Sequence, residues 1–343
     1  MGTICDVVPL IDLNRAFVYQ GIQILKKRKN IGIKTLIDVA DIKESPDTYH
    51  IGFLLGPRIN AGGRIGQSDL GANLLTTEDP KKSYEIATTL DSLNKKRKSI
   101  EVDILNEAYL LAEKEKGNEI ILVANKFWHE GLIGIIASRI KEKFLKPTIV
   151  ISSTNNIAKG SCRSIFGFDI GLAILAAKQN GIVIKGGGHK MAAGLTVEEA
   201  KIPAAMGRLE ELLAKQGAGA SGPRDMRIDG LLMPSAATPE LIEEIDRAGP
   251  FGQGAPAPRF AFADMAISGA RRVGESHLRF SFSDGFGKRL DAIAFGAFDT
   301  DLGSALESAG IERFHLTGKL EINSWGGKNK VQLRLDDAAK AWN

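Results

Sequence analysis

The feature that most restricts how this chain can fold is a change of hydrophobic period near residue 217. Between residues 119 and 216, short apolar runs alternate with segments whose apolar residues recur every three or four positions. "EIILVAN", "KPTIVISS", "NIAKGSCRS" and "GIVIKGGG" read as strands; "GLIGIIASRIKEKF", "DIGLAILAAKQ" and "EEAKIPAAMGRLEELLAKQ" read as helices. That alternation predicts an α/β domain with helices packed on its sheet. After "GAGASGPRD" (217–225), which has the small, polar composition of a linker, the period becomes two. "RFAFADMAI", "HLRFSFSD", "KRLDAIAF", "RFHLTGKLEI" and "NKVQLRLDD" are short alternating strands separated by turn residues. With one helical stretch, either "TPELIEEIDRA" or "TDLGSALESAG", they predict a small Greek-key barrel of the OB type.

Upstream, residues 79–116 carry one long helical pattern. Asp79 and Pro80 supply an N-cap and a first-turn proline, and Ile86, Leu90, Leu93, Ile100, Ile104, Ala108 and Leu111 follow at helical spacing. The run is long enough to connect two domains. Its basic cluster "NKKRK" (94–98) reads as a solvated face, with Glu101 and Asp103 close behind. The opening "MGTICDVVPLIDLNRAF" reads as a strand-like apolar run, as if the chain began within a domain.

Composition excludes some classes. With 43% hydrophobic and 25% charged residues the chain is globular, and a net charge of +4 suits a polyanion only slightly better than other partners. Cys5 and Cys162 are the two cysteines, which is no disulfide framework, and no CxxC pair suggests zinc. No apolar run approaches the roughly 20 residues of a membrane span. The expectation is a cytoplasmic protein with no membrane partner.

Three stretches carry chemistry. "LGPRINAGGRIG" (55–66) reads as a tight, donor-rich loop in which Arg58, Asn60 and Arg64 grip phosphate and glycines bring backbone N–H groups close. "AKGSCRSIFGFD" (158–169) places Ser161, Arg163 and Ser164 where a strand enters a turn, with no acid among them. In "GIVIKGGGHKMAAG", the run Ile182–Val183–Ile184 reads as a buried strand ending in Gly186, Gly187, Gly188 and His189. Glycines are used where backbone must come close to something, so a ligand contact is expected there. His189 could hydrogen-bond a phosphate, stack on a base or bind a metal, although no second ligand lies near it in sequence. Because all three stretches are donor-rich and acceptor-poor, His189, Arg163, Ser161 and Arg58 are expected to converge on one anion. On the barrel, Arg271, Arg272, Arg279, Lys288, Trp325 and Lys328 could hold a single strand. Phe280 and Phe282, of equal parity on one strand, read as core.

Together these stretches resemble the RecJ family of single-stranded-DNA exonucleases, within the DHH/DHHA1 phosphoesterase superfamily. The matching pieces are "GTICDVVPL", "GPRINAGGR", "WHEGLIGIIASRI", "KGSCRS", "GGGHKMAAG", "GPFGQGAPAPRF", "LDAIAF" and "VQLRL", in family order along essentially the whole chain. The resemblance implies a remnant of the DHH catalytic domain at 1–78, a connector helix at 79–116, a DHHA1 substrate-binding domain at 117–217 and an OB-fold at 222–343. It implies 5′-to-3′ hydrolysis of single-stranded DNA in repair and recombination, with Mn2+ or Mg2+ as cofactor. It assigns Asp6 as a catalytic metal ligand, and Arg58, Asn60, Arg64, Ser161, Arg163, Gly187, Gly188 and His189 as the substrate side. The acidic motifs and the Asp-His-His of that family are absent: none of the five histidines adjoins another. Gly62 and Cys162 replace residues that tend to be Ala and Gly in the family. The chain alone is therefore expected to bind a strand and barely cleave it. Partners expected with single-stranded DNA are a single-stranded-DNA-binding protein or a separate DHH-domain subunit. Two alternatives stay open: a single-stranded nucleic-acid-binding module without its own nuclease activity, and a phosphodiesterase acting on oligoribonucleotides or cyclic dinucleotides.

Overall fold

The structure is a computed structural model that describes residues 1–216, 225–323 and 329–341. It divides into two compact units, one of Met1–Ile24 with Arg224–Asn343, the other of Leu25–Pro223. The linker expected at 217–225 lies almost wholly outside the described residues.

The chain opens with α1 (Gly2–Cys5) and α2 (Asp12–Lys26). The apolar opening expected as a strand is thus a single helical turn. No strand of the described residues pairs with it, so its backbone is satisfied locally, Cys5 N–H donating to the Met1 carbonyl at 3.0 Å. Leu10 N–H then donates to Gln253 O at 2.6 Å, pinning this segment onto "GPFGQGAPAPRF" within its own unit.

The second unit begins with α3 (Ile31–Val39), a π-helical turn at His50–Leu55, α4 (Gly56–Ile65), α5 (Leu70–Thr76) and α6 (Pro80–Lys114). The stretch expected as a phosphate-gripping loop is therefore helix α4. Part of its glycine content serves close packing: a Cβ on Gly62 would stand 2.8 Å from Gln67 O and 3.3 Å from Leu90 of α6. Helix α6 starts as the sequence dictates, with Asp79 Oδ1 accepting from Lys81 N–H at 2.8 Å.

The α/β part follows as β1 (Ile121–Asn125), α7 (Ile133–Phe144), β2 (Thr148–Thr154), β3 (Ile157–Arg163), α8 (Ile170–Gln179), β4 (Lys185–His189), β5 (Ala192–Glu198) and α9 (Ile202–Ala214). The strand order is β1-β2-β3-β5-β4, with β1 and β2 parallel and the remaining pairs antiparallel. One face, through Ala158, Cys162, Ala193, Leu195 and Val197, packs on α8 and α9. The opposite face is covered by α7 at β1 and β2, where Ile121, Val123 and Val150 meet Ile133, Ile136 and Ile140. The glycine stretch corrects its sequence reading. Its apolar run is not the strand: Val183 plugs the core under α8, and Gly186–Gly188 form β4 itself. With no Cβ at Gly186, β4 can lie against Ile174 of α8.

The remaining strands are β6 (Gly230–Leu231), β7 (Phe260–Val273), β8 (His277–Ser283), β9 (Arg289–Ala294), β10 (Arg313–Asn323) and β11 (Lys330–Lys340). Helix α10 (Pro239–Arg247) precedes β7 and α11 (Asp301–Glu307) lies between β9 and β10. Strands β7, β8, β9, β11 and β10 pair in a ring, because β10 also pairs with β7, and β9 with β11 is the parallel contact that closes it. This is a closed five-stranded barrel of the OB type. Phe262, Phe280 and Phe282 fill it, with Phe262 edge-on to Phe282 at 5.1 Å. The two phenylalanines read as core are core.

Candidate functional site

The site grows from the start of α7. Its N-cap residue, Leu132, supplies no side-chain cap, so the positive end of the helix dipole is available to an external anion. A Cβ on Gly134 would stand 3.1 Å from Arg163 Nη2 and 3.5 Å from Ser161 Oγ, so both side chains lie against this helix end. Arg163 is oriented by its own bonds, Nε donating to Ser138 Oγ at 3.1 Å and Nη1 to Cys162 O at 2.9 Å. Burial lowers its pKa from the ordinary arginine value. Burial also pushes the adjacent Cys162 thiol up to about 12, so that group carries no opposing charge at neutral pH.

Two further guanidiniums approach from the helical part. Arg64 Nη1 donates to Gly131 O at 3.0 Å, in the loop that leads into α7. A Cβ on Gly131 would be 2.2 Å from Arg64 O, so α4 and this loop meet backbone to backbone. Arg64 has a lowered pKa, first through burial, then through the positive charges of Arg97 and Arg163, with Glu101 opposing. Arg97 lies on α6, 8% exposed, bonded to Asn94 Oδ1 at 3.2 Å and ion-paired with Glu101. Three arginines from α4, α6 and β3 thus share one region, and Glu101 is the carboxylate that offsets them there. An arrangement with surplus buried positive charge is stabilised by an anion able to accept bidentate bonds, as phosphate does.

The residues expected from sequence are distributed unevenly around this centre. Ser161, Arg163 and Arg64 come together. His189 is exposed on the edge strand β4 and pairs with Ala192, which pairs with Arg163, so both stand in one row across the sheet. Its Nδ1 accepts from Met191 N–H at 3.3 Å, which leaves Nε2 as the donor of the neutral ring. Gly187 and Gly188 lie on the same strand. Asn60 is exposed and, four residues from Arg64, shares its side of α4. Arg58 is on another side of that helix, its Nε bonded to Asp91 at 2.9 Å and Nη1 to Leu54 O at 2.8 Å. Burial alone would raise the Asp91 pKa; the bonds from Lys95 and Arg58 outweigh it and hold the carboxyl below its usual range. Asp6 belongs to the barrel-containing unit and is exposed at the end of α1.

Arg97 was not singled out by sequence, although a signal was there. It lies seven residues after Leu90 and seven before Ile104, on the buried stripe of α6, while Lys95, Lys96 and Lys98 of the same cluster are exposed. The solvated-face reading of "NKKRK" is right for the lysines and wrong for Asn94 and Arg97.

The barrel presents a second cationic surface. Arg271 and Arg272 are exposed, and Arg272 lies 3.6 Å from the Phe298 ring centroid. Phe295, 56% exposed, stands edge-on to His277 at 5.1 Å and 5.8 Å from the Arg334 guanidinium. Arg279 is engaged with Asp291 at 3.3 Å, and Lys288 Nζ reaches Ser235 O at 3.4 Å. Trp325 and Lys328 lie outside the described residues.

Comparison with known proteins agrees with this division. Residues 103–215 match the DHHA1 domain family and residues 228–337 match the family described as the RecJ OB domain. The chain thus carries a DHHA1 domain and an OB barrel. It is 36% identical over 348 residues to the single-stranded-DNA-specific exonuclease RecJ of Escherichia coli, covering 98% of this chain and 59% of the relative. To the Bacillus subtilis protein of the same name it is 32% identical, covering 99% of this chain and 43% of the relative. Crystallographic RecJ from Thermus thermophilus in complex with Mn2+ superposes with a TM-score of 0.82 at 28% identity, covering 100% of this chain and 49% of that one. This chain is similar to RecJ proteins along nearly its whole length and spans about half the length of the relatives it matches.

Proposed function

We propose that this chain is the substrate-holding part of a single-stranded-DNA-specific 5′-to-3′ exonuclease. The observation that carries this reading is the meeting of Arg64, Arg163 and Ser161 at the start of α7, with the charge of Arg97 felt by Arg64. A terminal 5′-phosphate, doubly charged and fully accessible, fits it better than the singly charged diester within a strand. His189 adds a donor on the open side of the same sheet face, and the barrel separately offers cations and aromatic faces suited to a single strand.

The relatives of known structure hold Mn2+ or Mg2+. Here the residues do not fit such a centre by themselves. Among the described residues no three of His, Cys, Asp or Glu gather where they could hold an ion, and Asp6 is one candidate ligand. Hydrolysis would draw on ligands from further chain or from a DHH-bearing partner. Helix α2 leaves room for such a neighbour: it buries Val18 and Ile22 yet exposes Leu13 at 71% and Phe17 at 68%. A single-stranded-DNA-binding protein is a second partner this reading admits. Among the described residues no helix is long and apolar enough to cross a membrane, and the setting that goes with this reading is cytoplasmic.

The test compares 5′-phosphorylated and 5′-hydroxyl oligothymidylates for binding, then for cleavage with Mn2+. The phosphorylated strand should bind more tightly, and the 343-residue chain should cleave neither strongly. Equal binding would remove the terminal-phosphate reading, and robust cleavage would show that the chain holds a complete metal site.

A further inference from the structure

Beyond α7 the sheet face is bare, and its register arranges three rows. Arg163, Ala192 and His189 make the first; Ser161, Gly194 and Gly187 the second; Lys159, Thr196 and Lys185 the third. All nine residues share one face, because their neighbours Ala158, Cys162, Ala193, Leu195 and Val197 point into the core on the other. Successive rows are two residues apart, about 6.8 Å along the strands. Ser161 and Gly194 of the second row and all of the third line a groove of about 310 Å³ with Glu130 and Ile133.

Gly194 in this groove and Gly187, paired beside it, carry no side chains, and the fold does not explain why. Gly186 and Gly188 are needed: a Cβ on the first would be 2.6 Å from Ile174 Cγ2, and on the second 2.3 Å from Ala192 O. A Cβ on Gly187 would meet nothing within 4 Å, and one on Gly194 only Gly160 O at 3.7 Å. Neither has a positive φ. Two adjacent glycines that neither packing nor backbone conformation requires point to something outside the protein that must lie flat there.

We propose that the third row, Lys159, Thr196 and Lys185, is a second phosphate subsite, and that the Gly187–Gly194 pair receives the nucleoside between it and the phosphate held at Ser161 and Arg163. This rests on the terminal-phosphate reading above and extends it by one nucleotide. Lys185 has no carboxylate partner among its described ion pairs, and Lys159 is paired with Glu130 at 2.6 Å. That pair is exposed at both ends, so it contributes little and yields readily to a phosphate. Glu130 then acts as a competing anion, filling the subsite when no strand is bound.

The probes are thymidine 5′-monophosphate, with one phosphate, and the dinucleotide pTpT, with two. Lys159→Met with Lys185→Met should weaken pTpT about tenfold and leave the mononucleotide unchanged. Gly194→Val should weaken pTpT with the thermal unfolding midpoint retained, and Glu130→Gln should tighten it. Equal weakening of both probes by the lysine changes, or no weakening of either, overturns the second subsite. If the unaltered chain binds pTpT but not the mononucleotide, and the lysine changes still abolish it, the terminal-phosphate reading falls while the second row stands. If it binds neither, both fall.

Discussion

The sheet face of the DHHA1 unit and the outer wall of the barrel both present arginines, but they hold them differently. Around α7, Arg64, Arg97 and Arg163 come from three elements and are fixed by a backbone carbonyl, an asparagine and a serine. Their charge is concentrated and largely withdrawn from water. On the barrel, Arg279, Arg259 and Arg313 each meet an aspartate, while Arg271 is exposed and Arg272 lies over the Phe298 ring. The first arrangement is preorganised for one compact anion; the second is a diffuse field that a strand crosses in many registers. Burial makes a charge selective, and exposure makes it tolerant.

Arg163→Ala is the strongest way to break the contrast. Removing a fixed, part-buried guanidinium should weaken thymidine 5′-monophosphate about 100-fold by calorimetry, since charged hydrogen bonds contribute about 1.5–3 kcal/mol each. Arg271→Ala should leave that affinity untouched; if both variants lose it alike, the two surfaces are not distinct. The next effect lies within three consecutive glycines. Gly186→Ala should lower stability to urea by about 1–3 kcal/mol through overpacking against Ile174. Gly187→Ala should stay within about 0.5 kcal/mol of the original, having open space above it. Equal losses would mean that the whole triplet serves the fold. The smallest effect belongs to the barrel: Arg271→Ala should flatten the slope of log affinity against log salt for a long single strand by about 0.7. A larger change would show that this arginine is as site-bound as Arg163.

Sequence carried the architecture further than the site. The period-two strands, the Asp79–Pro80 start of α6 and the alternation of residues 119–216 survive in the structure because each is a local rule acting on one element. The N-terminal run fails because "ICDVV" contains a strand propensity but no information about whether a partner strand exists. Residues 56–65 fail for a related reason: glycine marks both loops and close helix packing, and only the position of Leu90 tells which applies. The site was legible as residue types, with Ser161, Arg163 and Arg64 all named. What sequence could not supply was direction. Arg58 and Arg64 look alike in "GPRINAGGR", yet the turn of α4 sends one to Asp91 and the other to Gly131. Lys159 and Lys185 carried no local mark, because their shared row exists only through the pairing of β3, β5 and β4.

Helix α6 has a consequence of its own. Over its 35 residues it buries Ile86 and Leu90 near one end and seats Ile104, Ala108 and Ala112 in the cluster under α7 towards the other, with Arg97 between them. A single inserted residue just after Arg97 would rotate everything beyond it by about 100° and advance it by about 1.5 Å. No loop exists along that rod to absorb the error. Substitutions on its outer side should be inherited freely, while insertions and deletions should be purged along its length, so that the helix keeps a fixed residue count as its surface composition drifts.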